Sequence, residues 1–107
     1  MNILPETTFQ LTADTNISVA ENSTYEQLRD KLAEYIEQLI SQDFQQFVLL
    51  LYKVDVSEHK IRAVLEADLS PDVYKKIAAL LIERQQEKII SKKTNKKPVD
   101  DDGEEKW

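Results

Sequence analysis

The sequence predicts an all-α protein, and three observations carry that prediction. From Leu28 to Ile90 apolar residues recur at spacings of three and four, the period of a helix with one buried face. Short polar signatures of helix starts stand before several of these apolar runs. The single glycine of the chain, Gly103, lies near its end, so no glycine interrupts the periodic region. The expected architecture is a compact irregular bundle of about four helices, with an extended N-terminal arm over residues 1–23 and a disordered charged tail over residues 91–107. At 107 residues the chain has the length of one domain with one modest core.

Residues 1–23 lack an obvious helical period. Thr8-Phe9-Gln10-Leu11-Thr12 and Ile17-Ser18-Val19 alternate apolar with polar, as short extended segments do. The expectation is an arm whose Phe9, Leu11, Ile17 and Val19 lie on the helices.

The first helix is expected over residues 24–42. Ser23-x-x-Glu26 reads as a capping box, in which the serine hydroxyl takes an orphan amide and the glutamate reaches back. Leu28, Leu32, Tyr35, Ile36, Leu39 and Ile40 then form one stripe. That stripe continues in phase through Asp43, Phe47, Leu51 and Val54. An uninterrupted helix to residue 54 would far exceed the usual length. Asp43 is costly to bury in an apolar stripe, but as an N-cap it accepts free amides. The sequence therefore predicts a break at Ser41-Gln42-Asp43, with Gln46 completing a second box.

The second helix, residues 43–54, is apolar almost all round from Phe47 to Tyr52. It is read as the central helix of the fold or as part of a subunit interface. Asp55-x-x-Glu58 reads as a third capping box, with Ser57 as a competing cap and Val56 and Ile61 as its hydrophobic staple. A short helix over 56–67 follows. Ser70-Pro71 then reads as an N-cap with proline in the first turn, opening a last helix over 71–90. Beyond it, Lys92, Lys93, Lys96 and Lys97 precede Asp100, Asp101, Asp102, Glu104 and Glu105, a mixture that cannot bury enough apolar surface to order itself.

Composition narrows the function classes. There is no cysteine, which removes disulfides, thiolate metal sites and a cysteine nucleophile together. No apolar run approaches the roughly 20 residues needed to span a bilayer, and Met1–Glu6 has no basic and apolar leader. A cytoplasmic protein without membrane contact is expected. The net charge of −6 disfavours nucleic acid, which asks for a basic footprint.

Candidate sites are few. His59, the single histidine, has Asp55 one turn before it, but a metal site needs three or four ligands. Ser57 and His59 are two positions apart and do not share a helical face, so no nucleophile–base pair forms. Glycine-rich phosphate loops have no counterpart among residues 24–90. No catalytic, cofactor-binding or metal-ligating residue is expected, and the chain is read as a non-enzyme. The feature in excess is apolar surface. The leading expectation is a small protein-interaction or structural module, with a second copy as one expected partner, through a surface drawn on Phe47, Leu50, Leu51, Tyr52 and Leu81. The alternative is a helix-turn-helix nucleic-acid binder, with Lys75, Lys76, Arg84 and Lys88 facing the duplex.

Leu50-Leu51-Tyr52-Lys53-Val54-Asp55-Val56-Ser57-Glu58-x-Lys60-Ile61, followed by Ile82-Glu83-Arg84-x-x-x-Lys88, resembles a group of short all-helical bacterial proteins of no known function. The similarity runs from the first helix to the end of the last. It implies a cytosolic bacterial helical protein and brings no ligand or catalytic residue.

Overall fold

In the computed structural model, residues 3–20 and 23–94 are described, with side chains through Lys93. They form α1 (Pro5–Thr15), α2 (Tyr25–Gln42), α3 (Phe44–Val54), α4 (Glu58–Ala67) and α5 (Val73–Thr94), with no strand among the described residues.

The N-terminal segment corrects the expected arm: residues 5–15 are a helix. Pro5 occupies its first turn, where the missing amide costs nothing, and Glu6 sits favourably at the positive end of the helix dipole. Thr7, Leu11 and Thr15 are buried at intervals of four. Two of these three are threonines, and counting them as polar hides the helical period behind an apparent alternation. Their hydroxyls are satisfied inside: Thr15 Oγ1 donates to the Leu11 carbonyl at 2.7 Å and Thr7 Oγ1 to Gln86 Oε1 at 3.0 Å. The alternation also misplaces Phe9, which is 72% exposed. Asn16, at φ 62°, ends the helix in the left-handed conformation, with its amide donating to Thr12.

The start of α2 is one residue later than expected. Thr24, not Ser23, is the cap: Gln27 N donates to Thr24 Oγ1 at 3.1 Å, and Thr24 N donates to Gln27 Oε1 at 2.9 Å. Ser23 turns its hydroxyl back to the Ala20 carbonyl. The break between α2 and α3 falls at Asp43, as the sequence predicts, and Asp43 Oδ1 accepts from Gln46 N at 3.3 Å.

Asp55, expected at the start of the next helix, instead stops α3. Its backbone is left-handed (φ 67°, ψ 48°), Val56 N donates to the Leu51 carbonyl at 2.9 Å and Asp55 N to Tyr52 at 3.2 Å. This is the Schellman pattern, and the accompanying apolar contact pair, Val56 and Leu51, is buried in the core. With no glycine available, an aspartate takes the position that needs φ above zero. Ser57 is then the N-cap residue of α4, without a side-chain cap bond.

The last helix starts at Val73, after a turn over Pro71–Asp72, and reaches Thr94. Ser70 is three residues before Val73 and its hydroxyl donates back to Asp68 Oδ1 at 2.7 Å. The helix passes the expected end at residue 90, so residues 91–94 belong to it; the rest of the expected tail, 95–107, lies outside the described residues. α5 is the hub. It packs most extensively on α2 and also touches α1, α3 and α4, whereas α3 lies against α2, α5 and α1. Val73, Ile77, Ala78, Leu81 and Ile82 of α5 meet Leu28, Leu32 and Ile36 of α2, Phe47, Leu51 and Val54 of α3, Leu11 of α1 and Ile61 of α4 in one core.

Candidate functional site

The five residues drawn as an interaction surface separate in the structure. Phe47, Leu50, Leu51 and Leu81 are buried together in the chain's own core, each no more than 3% exposed. Only Tyr52 remains outside, at 66%. The apolar belt of α3 therefore has two sides. Positions 47, 50, 51 and 54 point inward, at the three-and-four spacing of a helix face. Leu49, 42% exposed, and Tyr52 share the outer side one turn apart, with Val48 half-buried next to them. Phe44, at the start of the helix, is partly sheltered by the Arg62 guanidinium, 6.0 Å from its ring centre.

The cations proposed for nucleic acid are each turned toward an acceptor of the same chain. Lys75 Nζ lies 3.9 Å from Asp30, and Lys76 Nζ lies 2.7 Å from Asp68. Arg84 donates to the Asp55 carbonyl at 3.1 Å and to its carboxylate at 2.9 Å, and reaches Glu87 at 3.3 Å. The Asp55 bond first, then that to Glu87, raises the guanidinium pKa further above its ordinary value. Lys88 Nζ donates to the carbonyls of Lys53 and Val54 at 3.1 and 3.3 Å. These carbonyls end α3, where the helix dipole is negative and a cation is favoured. Asp55 and Glu58, read from sequence as amide acceptors, are instead ion-pair partners, of Arg84 and of Arg62 at 2.7 Å respectively. His59 is exposed, and among the described residues no group of three His, Cys, Asp or Glu side chains converges. No described helix is long and apolar enough to cross a membrane.

A second feature escapes the sequence reading. Gln85 lies on the buried face of α5, four residues after Leu81, and is 4% exposed. Its Oε1 has no hydrogen-bond donor among the described residues. An amide oxygen shut from water without a donor costs about 1–3 kcal/mol. Gln85 lines a pocket of about 400 Å³ between α1, α3 and α5, bordered also by Gln10, Asp14, Lys53, Lys88 and Lys92. Three ammonium groups and one carboxylate give this pocket a positive balance in a protein of net charge −6. Asp14 is engaged by Gln10 Nε2 at 3.1 Å, while Lys53 and Lys92 have no ion-pair partner among the described residues. The available signal is the glutamine in phase with Val73, Ile77 and Leu81, a polar side chain where the stripe asks for an apolar one.

No protein-family model, curated protein or solved structure matches the chain. The functional reading therefore rests on the residues themselves.

Proposed function

We propose that the chain is a non-enzymatic protein-interaction module that associates with a second copy of itself through the outer face of α3. The observation that carries this reading is the pair Leu49 and Tyr52, exposed one turn apart on a helix whose opposite face is core. A twofold contact brings the same patch together with itself, so a small stripe is doubled in the interface. A patch of this size supports weak, reversible association. The internal engagement of Lys75, Lys76, Arg84 and Lys88, added to the acidic balance, favours this reading over a helix-turn-helix binder. The cytoplasmic location and the bacterial resemblance belong to the same proposal and add no ligand to it.

Amide chemical shifts followed against protein concentration test the surface. The expected result is movement confined to α3 positions 45, 48, 49 and 52 and their neighbours, abolished by Leu49→Glu. Shifts independent of concentration, or movement confined to another helix, would refute it.

A further inference from the structure

We propose that two copies of the chain lay their α3 helices antiparallel, about a twofold axis passing between Val48 and Leu49, and that Lys53 and Asp43 select this orientation by pairing across the contact. The inference rests on the self-association reading and names how that face meets itself. The open side of α3 is made of two rows at four-residue spacing, Phe44-Val48-Tyr52 and Gln45-Leu49-Lys53, none of them buried. Rows of this kind are the ridges by which helices pack. At about 100° per residue, Val48 and Leu49 lie to either side of the middle of the face. Gln45 and Tyr52 straddle it more closely, and Phe44 and Lys53 stand at opposite rims. A twofold axis through the middle exchanges these positions. Val48 then meets the partner's Leu49, Gln45 the partner's Tyr52, and Phe44 the partner's Lys53.

Charge decides the direction. Asp43 is the N-cap of α3 and Lys53 lies in its last turn, so the two ends of the face differ in sign. Asp43 Oδ1 accepts from Gln46 N at 3.3 Å, and neither Asp43 nor Lys53 has an ion-pair partner among the described residues. Lys88 and Lys92 stand near Lys53 against one carboxylate, Asp14, which makes this end of the helix locally positive. At the other end, Arg62 is already neutralised by Glu58 at 2.7 Å. The antiparallel pair sets each Lys53 over the partner's Phe44 and within reach of its Asp43, and opposes the two helix dipoles. A parallel pair would set Asp43 against Asp43 and Lys53 against Lys53, with the dipoles aligned. Like charges placed opposite each other disfavour that arrangement.

Orientation is read from intermolecular broadening. The chain has no cysteine, so Gln42→Cys, an exposed position at the N-terminal end of α3, carries a single nitroxide. That chain is mixed at near-millimolar concentration with isotope-labelled chain lacking the nitroxide. The expected result is amide broadening strongest around residues 53–56 and weaker at 44–46. Broadening strongest at 44–46 would overturn the antiparallel pair and leave self-association standing; broadening on another helix, or none, would overturn both. Charge exchange tests the selecting pair. Lys53→Glu is expected to weaken association about three- to tenfold, the scale of two exposed ion pairs turned repulsive, and Asp43→Lys to do the same. An equimolar mixture of these two variants is expected to regain the parent's association, because every cross-contact then joins opposite charges. Asp43→Asn keeps a capping side chain and loses the charge, so its smaller weakening separates the ion pair from the helix start. Association unchanged in both Lys53→Glu and Asp43→Asn would contradict the pairing.

Discussion

Arg84 grips Asp55 twice, through the backbone carbonyl at 3.1 Å and the carboxylate at 2.9 Å, at the left-handed residue that ends α3. One α5 side chain thus secures both the conformation of a helix stop and the packing of two helices, across 29 residues of sequence. Lys88, one turn further, closes the remaining carbonyls of the same helix end. Gln86 acts at the opposite kind of terminus, where its Oε1 accepts from Leu4 N at 2.9 Å as α1 begins. Arg84, Gln86 and Lys88 of α5 are therefore fittings for the ends of its neighbours, while Val73, Ile77, Ala78, Leu81 and Ile82 supply the core.

This clamp gives the first expectation. Arg84→Ala lowers the urea midpoint, and Arg84→Lys recovers only part of the loss, because a single ammonium nitrogen replaces the two guanidinium nitrogens that separately reach the Asp55 carbonyl and carboxylate. Asp55→Gly is milder than Asp55→Ala, since alanine at φ 67° adds a backbone cost of about 1 kcal/mol that glycine avoids. Equal loss in the two Asp55 variants would contradict the left-handed stop.

Acid sensitivity follows from two carboxylates. The Lys76 hydrogen bond, and then the Ser70 hydroxyl and amide, hold the Asp68 carboxyl well below the usual carboxylate range; Lys93, 2.6 Å away, lowers that of Glu6. A carboxylate whose pKa falls on folding stabilises the fold fully above its unfolded value. That contribution is lost as pH falls from about 4 through the folded value. Urea midpoints therefore drop below about pH 4, less steeply in Asp68→Asn and less steeply still with Glu6→Gln added. Both pairs face solvent, so added salt also shallows the drop. A pH profile unchanged by either substitution would rule out these pairs as its source.

The hub role of α5 and the open side of α3 are separated by two leucines. Leu81→Ala, at 0% exposure, is expected to cost about 2–5 kcal/mol. Leu49→Ala is expected to stay within about 0.5 kcal/mol of the parent at dilute concentration. Denaturant unfolding of both variants checks the pair, and similar losses would mean that the outer side of α3 is packed.

The helix breaks legible in the sequence are those marked by side-chain chemistry. Asp43 could be placed because a carboxylate on an apolar stripe is too costly to bury unless it caps a helix. Replacing Asp43 or Thr24 by Ala should each cost about 1 kcal/mol in chemical denaturation. α1 was not legible, because its buried face is built on Thr7 and Thr15, whose hydroxyls are satisfied by Gln86 and by the preceding turn. Asp55 misleads for a related reason: an aspartate before Ser57 fits an N-cap equally well on local grounds. Only Arg84, far away in sequence, shows that it is held as a stop. The surface drawn on Phe47 to Leu81 fails in the same way, since an all-round apolar segment does not reveal which side its own chain covers. The pocket of Gln85 gathers residues from three helices, and a linear pattern carries no record of that meeting beyond one glutamine on the apolar stripe.

Self-association through α3 is the central functional claim, and molar mass by light scattering after size exclusion tests it most directly. The expected result is a mass rising toward twice 12.4 kDa from micromolar to near-millimolar concentration, with Leu49→Glu/Tyr52→Glu held at the single-chain mass throughout. A parent protein that stays at 12.4 kDa across that range would contradict the claim.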